Sequence, residues 1–236
     1  MTEREYLGPD SRRVQEMFAG IAHRYDFLNH FLSASFDRRW RKIAVNKVRQ
    51  LAGASPAFCF DVCSGTGDLA IALEAGLNTR VIASDFCHPM LIRASAKSAG
   101  RQIQHVEADA LDLPIATASI DALTIAFGLR NLEDPYRGLQ ETHRVLKAGG
   151  ALVILEFSKP VVPVLREVFN LYFRYVLPKL GAMISGSGTA YQYLPDSVRK
   201  FPNQEQLLDL VRSCGFKDAQ YRNLSGGIAA LHWARK

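Results

Sequence analysis

Several features are scarce in these 236 residues, and each shortage closes off a class of protein. No stretch reaches the ~20 uninterrupted apolar residues that a membrane-spanning helix needs. The opening, Met1-Thr-Glu-Arg-Glu-Tyr6, has no apolar core of the kind that leads a chain out of the cell. The expectation is a cytoplasmic protein, resting at most on the inner face of a membrane. Cysteine is sparse: Cys59, Cys63, Cys87 and Cys214 form no C-x-x-C pair. That argues for buried, reduced thiols and against a disulfide scaffold or a zinc site, so no metal is expected. Acidic residues fall short of basic ones, 23 against 29, for a net charge of +6. Such a balance permits an anionic membrane surface or nucleic acid and demands neither. The densest basic cluster is only Arg38-Arg39-Trp40-Arg41-Lys42. No nucleic-acid-binding module is visible, and no nucleic-acid partner is expected. Internal repeats and low-complexity tails are absent too.

What is present is 48% hydrophobic residues, enough to bury a substantial core in one domain spanning 1–236. The chain is organised around Phe58-Cys-Phe-Asp-Val-Cys-Ser-Gly-Thr-Gly-Asp-Leu-Ala70. Phe58 to Cys63 is an apolar run broken only by Asp61, short enough for a strand of a parallel sheet. Gly65 and Gly67 follow, where a backbone turns sharply and lets a ligand come close. Helix-forming residues come next, so the turn aims free N–H groups and a positive dipole end above the strand. The dinucleotide fingerprint G-x-G-x-x-G/A is met literally by Gly65, Gly67 and Ala70. Sites for S-adenosylmethionine (SAM) use a similar turn with an acidic residue at the end of the first strand, where Asp61 stands. Its charge suits an amino group and a sulfonium and repels a pyrophosphate, which favours SAM over a nicotinamide dinucleotide. The next strand ends at Asp85, roughly twenty residues beyond the glycines, where an acid can accept both ribose hydroxyls.

Around this unit the pattern is regular. Val14, Met17, Phe18, Ile21, Ala22 and Tyr25 repeat with helical spacing. Asp26 to Phe36 is rich in aromatics and leucine, and Trp40, Ile43, Ala44, Val48 and Leu51 mark a second helix over about 37–51. Residues 13–52 thus make a helical cap placed to cover the cofactor mouth. Strands are expected at 57–63, 80–84, 103–107, 120–126 and 151–157. Helices are expected at 67–76, 89–99 and 135–146, the last stopping at Lys147-Ala-Gly-Gly150. Such alternation makes a parallel sheet with helices on both faces. Residues 161–195 break the rhythm as an inserted helix and lid. Leu165, Val168, Phe169, Tyr172 and Val176 form its apolar stripe, and 181–190 is rich in glycine and serine. A last helix over 203–214 precedes two strands, 219–224 and 228–234, that read as an antiparallel hairpin.

These residues together resemble the class I SAM-dependent methyltransferases. More narrowly, the chain is similar to the C-methyltransferases of menaquinone and ubiquinone biosynthesis, from about Val14 to Trp233. The stretches that carry the likeness are Met17-Phe-x-x-Ile-Ala-x-Arg-Tyr-Asp-x-Leu-Asn29, Asp37-Arg-Arg-Trp-Arg41 and Asp61-Val-Cys-x-Gly-Thr-Gly-Asp68. Phe127-Gly-Leu-Arg-Asn131, Arg144-Val-Leu-Lys-x-Gly-Gly150 and Leu155-Glu-Phe-Ser-Lys-Pro160 add to them. Tyr193-Leu-x-x-Ser197 and Gly227-Ile-x-Ala-Leu-His232 complete the set. The glycine turn alone marks only the superfamily; Phe-Gly-Leu-Arg-Asn with Glu-Phe-Ser-Lys-Pro is far more specific. The resemblance implies an α/β, Rossmann-like, seven-stranded sheet whose last strand is antiparallel. It implies SAM as cofactor, held by Asp61, Gly65, Thr66, Gly67, Asp85, Asp109 and Ala110. Thr66 is placed to bond the methionine part, Asp85 the ribose, and Asp109 with Ala110 the adenine edge. One departure stands out: some members carry serine where this chain has Ala126, so a hydroxyl contact is missing there.

The implied reaction is methylation of a ring carbon of a polyprenylated quinol, demethylmenaquinol or the benzoquinol precursor of ubiquinone. Carbon becomes a good nucleophile when a neighbouring ring hydroxyl loses its proton. The protein must align carbon and methyl and stabilise oxyanion character. Arg130 and Asn131, following the fourth strand at the ligand-binding edge of the sheet, are the candidates for that task. Water, Tyr193 or a histidine could take the proton, with His143 reading as structural and His30 and His232 undecided. The prenyl tail calls for shelter or delivery. The aromatic surfaces at 27–36 and 165–177, with Arg38, Arg39, Arg41 and Lys42, suggest transient contact with a membrane. Packing on the core or in a homodimer is the other reading of those surfaces, and core packing is the preferred one for Trp40. Transfer to another small molecule, or SAM binding without catalysis, are the rival functions.

Overall fold

The computed structural model describes residues 8–26, 33, 35–163, 166, 167, 171 and 189–236. The aromatic surface at 27–32, the stripe expected over 165–177, the lid at 181–188 and His30 lie outside the described residues. Helix α1 (Ser11–Ile21) opens the described chain, capped by Asp10, whose side chain accepts from the Arg13 N–H. A 3-10 turn (Ala22–Arg24) follows, and then α2 (Phe36–Ala52). The α/β core runs β1 (Phe58–Val62), α3 (Asp68–Leu77), β2 (Arg80–Asp85), α4 (His88–Lys97), β3 (Ile103–Glu107) and β4 (Ile120–Ala126). After a 3-10 turn (Leu129–Asn131) come α5 (Pro135–Val145), β5 (Leu146–Phe157), α6 (Thr189–Lys200), α7 (Gln204–Ser213), β6 (Lys217–Leu224) and β7 (Ala229–Arg235).

The seven strands form one sheet in the order β3-β2-β1-β4-β5-β7-β6. Pairings from β3 through β5 are parallel, and β7 runs antiparallel to both β5 and β6. Alternation along β1 sends Phe60 and Val62 to one face and Cys59 to the other. The first face packs under α5 and α7 through Leu139, Val145, Leu207 and Val211. The second packs under α2 and α3 through Trp40, Val48, Leu69 and Leu73. Apolar side chains thus cover the central strands on both sides, as a parallel sheet requires. β3 and β6 close the sheet at its edges and are correspondingly more exposed. Trp40 is 3% exposed and belongs to the second core.

Two local readings change. Lys147 to Gly150 is not a separate helix stop: β5 begins at Leu146, and its pairing jumps from Ile120↔Leu146 to Ala122↔Ala151. The extra residues bulge out of the ladder, with Gly149 at φ +76, a left-handed conformation that glycine takes without strain. The inserted segment read as ending at 195 runs into a helix, Thr189–Lys200, that continues past Pro195, where the ring removes one N–H donor.

Candidate active site

The strand order reverses between β1 and β4, and the residue after each of these strands has strained backbone. Cys63 after β1 has φ +56 and Phe127 after β4 has φ +57, both non-glycine residues in the left-handed region. Gly65 (φ +54) and Gly67 (φ +82) complete the turn into α3. Strain of this kind is held in place by its surroundings and gathers where a ligand must be met. A cleft opens here, at the crevice where sheets of this topology bind ligands.

Cys63, Gly65, Asp85, Asp109 and Ala110 line it from β1, β2 and β3; Ala126, Phe127, Gly128 and Asn131 line it from β4. Phe18 and Tyr25 close it from the N-terminal segment. A Cβ on Gly65 would lie 3.6 Å from the Tyr25 ring, and one on Gly128 would lie 2.3 Å from the Cβ of Cys63. Both positions therefore bring backbone close to a neighbour.

Among the described residues Asp61, Asp85 and Asp109 have no ion-pair partner, although the Arg41 guanidinium acts on Asp61 from a distance. Asp85 accepts from the Gly65 N–H at 2.8 Å through Oδ2 and from the Cys87 N–H at 2.9 Å through Oδ1. Burial raises its pKa above the ordinary carboxylate value despite those bonds. Asp61 lies beneath the glycine turn, 1% exposed, and like Thr66 it is not part of the cleft lining. The Thr124 hydroxyl donates to its Oδ1 at 2.6 Å, while Oδ2 is buried with no hydrogen-bond partner. Burial pushes its pKa up to about 7. An orphaned carboxylate oxygen under a glycine turn fits a protonated amino group, and an acid on β2 fits a ribose diol. The residues present therefore suit SAM. Asp109 Oδ1 accepts from the Leu111 N–H at 2.9 Å, which leaves the rest of the carboxylate and the neighbouring Ala110 at the cleft wall.

Not every expected residue turns toward the cleft. Gly67 is the left-handed residue preceding α3 and does not line it. The Thr66 hydroxyl donates to Asp26 Oδ1, and Lys97 reaches both Asp26 (2.7 Å) and Asp68 (2.5 Å). This network ties the N-terminal segment down over α3. Arg41, expected among the lipid-facing cations, is 8% exposed and pairs with Asp37 and Asp68. Asp37 lies one helical turn earlier, on the same face of α2. Arg38, Arg39 and Lys42 remain exposed.

Arg130 also lies differently from the expectation of a cation facing a substrate oxygen. It is 4% exposed and absent from the cleft lining. Its Nη1 donates to Glu156 Oε1 at 2.6 Å and to the Phe127 carbonyl at 2.5 Å, and its guanidinium sits 5.3 Å from the Phe157 ring centre. Asn131 does reach the cleft. Its Nδ2 donates to the Phe127 carbonyl at 3.2 Å, and its Oδ1 accepts from the Tyr193 hydroxyl at 2.9 Å. His143 stands edge-on to Phe216, and His232 is buried in β7 with Nε2 on the Gln204 carbonyl; neither lines the cleft. Sequence reasoning placed Phe18 and Tyr25 in a cap without naming them as cleft residues and gave no role to the Asp26 or Glu156 side chains, although all four sit inside stretches it singled out. Only the tertiary fold brings them to the glycine turn and to Arg130.

The family model for the ubiE/COQ5 methyltransferase family matches residues 7–236. A demethylmenaquinone methyltransferase of Deinococcus radiodurans is 47% identical over 221 residues, covering 92% of this chain and 90% of its own. The ubiquinone/menaquinone biosynthesis C-methyltransferase UbiE of Geobacter sp. strain M21 is 42% identical over 237 residues, covering 98% and 99%. Among solved structures, a SAM-dependent methyltransferase from Thermotoga maritima superposes with a TM-score of 0.62 at 17% identity, over 94% of this chain and 99% of the other. At that identity the likeness speaks for the fold.

Proposed function

Because the chain belongs to the ubiE/COQ5 methyltransferase family, we propose that it catalyses SAM-dependent C-methylation of a polyprenylated quinol ring, with demethylmenaquinol as the first choice of acceptor. The benzoquinol precursor of ubiquinone is the second, since relatives carry both names. The observation that carries the reading is one cleft lined by Gly65, Asp85 and Asp109 on one side and by Phe127 and Asn131 on the other. The first set suits the cofactor; the second faces what the cofactor would react with.

SAM, when bound, supplies an electrophilic methyl on a sulfonium. The chain's own residues do the rest. Asp61 offers its unpartnered oxygen to the amino group, Gly65 and Thr66 form the turn beneath the methionine part, and Gly67 lets that turn enter α3. Asp85 takes the ribose, and Asp109 with Ala110 takes the adenine edge. Asn131 fixes the acceptor ring so that its carbon meets the methyl in line, which is mainly positioning. The second N–H of its Nδ2, the one not given to the Phe127 carbonyl, is the donor that would meet the developing oxyanion. Arg130 supports this arrangement from behind the Phe127 carbonyl. Residues 13–52 act as a cap and 161–195 as an inserted lid on a single 1–236 domain.

A transient membrane contact belongs to the same proposal. Phe36, Val161 and Val162 are exposed apolar side chains, and Arg38, Arg39 and Lys42 are exposed cations at the start of α2. Among the described residues no helix is long and apolar enough to cross a membrane. The Trp40 Nε1–H donates to Ser225 Oγ, and the Val161 N–H to the Gly226 carbonyl, which brings the two patches to one end of the sheet. Sedimentation with anionic vesicles should fall in Phe36→Ser/Arg39→Glu; unchanged binding would remove this face from the account.

The test of the acceptor is redox state. Turnover of SAM should require the reduced quinol, because only a hydroxyl can be ionised to activate the ring carbon. Equal turnover with the oxidised quinone would contradict this chemistry.

A further inference from the structure

Glu156 is the carboxylate that the methyl-transfer chemistry has not used. It ends β5 at 1% exposure, between two core faces, where an unpaired charge is costly. Its hydrogen bonds all come from the β4 and β5 ends. Oε1 accepts from Arg130 Nη1 at 2.6 Å and from the Phe157 N–H at 2.9 Å, and Oε2 accepts from the Arg130 N–H at 3.3 Å. Among the described residues Arg130 in turn reaches one further oxygen, the Phe127 carbonyl, and its Nε is buried with no partner. That carbonyl belongs to the residue with the strained φ of +57, and it is also the acceptor for Asn131 Nδ2. With Nδ2 committed there, the Asn131 amide presents Oδ1 to the Tyr193 hydroxyl of α6. A continuous chain of contacts therefore runs from Glu156 through Arg130, the Phe127 carbonyl and Asn131 to Tyr193. Only the middle of it, Phe127 and Asn131, lines the cleft.

We propose that Glu156 is a positioning residue for methyl transfer: it neutralises Arg130 and turns that side chain into a strut that holds the Phe127 carbonyl, and with it Asn131, in the orientation the acceptor ring meets. The inference rests on the methyltransferase reading and deepens it. Neutralised by Glu156 and aimed at a backbone carbonyl, the guanidinium acts through the loop and does not touch the substrate. The strut also accounts for a bulky residue at a left-handed φ. Phe127 is pinned at its carbonyl by two donors and at its N–H by the Leu155 carbonyl, 2.8 Å away, so the surroundings over-determine the strained conformation.

The experiment uses the full chain with SAM and a short-tailed demethylmenaquinol. It compares wild type, Glu156→Gln, Arg130→Gln and the double variant, measuring kcat, KM for the quinol, SAM affinity by calorimetry, the pH profile of kcat, and Tm. Glu156→Gln should lower kcat about tenfold to a hundredfold, the scale of a misplaced reacting group. SAM affinity should hold within about threefold, since Asp85 and Asp109 sit across the cleft. The ascending limb of the pH profile should keep its midpoint in every variant, because no charge is being removed from the quinol oxygen. The double variant removes the buried charges together and should recover Tm relative to the single variants while kcat stays low. It therefore decides the matter even where Glu156→Gln folds poorly. Recovery of wild-type kcat in the double variant would make the pair purely structural. A limb moved to higher pH by Arg130→Gln would restore the guanidinium as a direct partner of the substrate oxygen. Wild type that turns over no quinol would instead overturn the methyltransferase reading itself, before any variant is compared.

Discussion

Asp61 carries two opposed demands. Its folded pKa of about 7 lies above that of an exposed aspartate, so the protonated form suits the fold and the charged form does not. Relative to an ordinary aspartate, its stabilising contribution is complete below the unfolded pKa and is lost as pH rises through 7. Asp61→Asn should accordingly raise Tm at pH 8 while weakening SAM binding. In the wild type, SAM affinity should increase as pH rises toward about 7 and level off above it. In the variant that dependence should flatten; an unchanged pH profile in calorimetry would remove Asp61 from the cofactor site. Gly128 is held by space alone. A Cβ there would lie 2.3 Å from Cys63 Cβ, closer than atoms approach, so Gly128→Ala should cost about 1–3 kcal/mol and distort the cleft wall. A denaturant midpoint equal to wild type would show that the β4 loop yields freely. Asp61, Gly65 and Asp85 were legible as residues because strand-end acids and turn glycines have fixed offsets along the chain. The Arg130–Glu156 pair was not, since 26 residues and a helix separate the partners, and only parallel pairing of β4 with β5 brings their ends together.

At the level of elements, the sequence pattern located β4 to the residue because a buried parallel strand is a short apolar run; β3, a polar edge strand, was placed by the strand–helix alternation around it. It failed where a local signal pointed the wrong way. Gly149 and Gly150 read as a helix stop but lie in a bulge within β5, and the boundary drawn at 195 falls inside α6. Helix α7 shows a local signal that works: Asn203 accepts from the Gln206 N–H at 3.0 Å, and the Gln206 side chain accepts from the Asn203 N–H at 2.9 Å. This reciprocal cap satisfies two otherwise unpaired donors. Asn203→Ala should destabilise the protein by about 1 kcal/mol, read as a lower urea midpoint with unchanged slope. Because α7 covers the face of the sheet away from the glycine turn, SAM affinity should be untouched by it. Loss of cofactor binding in that variant would mean that the two faces are coupled.

For the whole molecule, the sheet brings chemistry from β1, β2, β3 and β4 to one edge, while β6 and β7 lock the far side. His232 belongs to that lock. Burial lowers its pKa to about 4, below the unfolded value, so the neutral ring favours the fold. Its contribution is full above the unfolded pKa and is lost as pH falls from about 6.5 toward 4, up to about 3 kcal/mol. Asp61 acts with the opposite sign at low pH, so the comparison to make is His232→Gln against wild type: the variant's stability should fall less steeply across that window. Parallel slopes would mean that the buried ring titrates normally. The proposed chemistry is methyl transfer to carbon at the cleft between Asp85 and Asn131. The direct measurement is incubation of the purified protein with ¹³C-methyl SAM and short-tailed demethylmenaquinol, followed by NMR of the product. Label on the ring carbon is the predicted result. Label on a ring oxygen, or SAM bound with no label transferred to this quinol or to the benzoquinol in a parallel incubation, would contradict it.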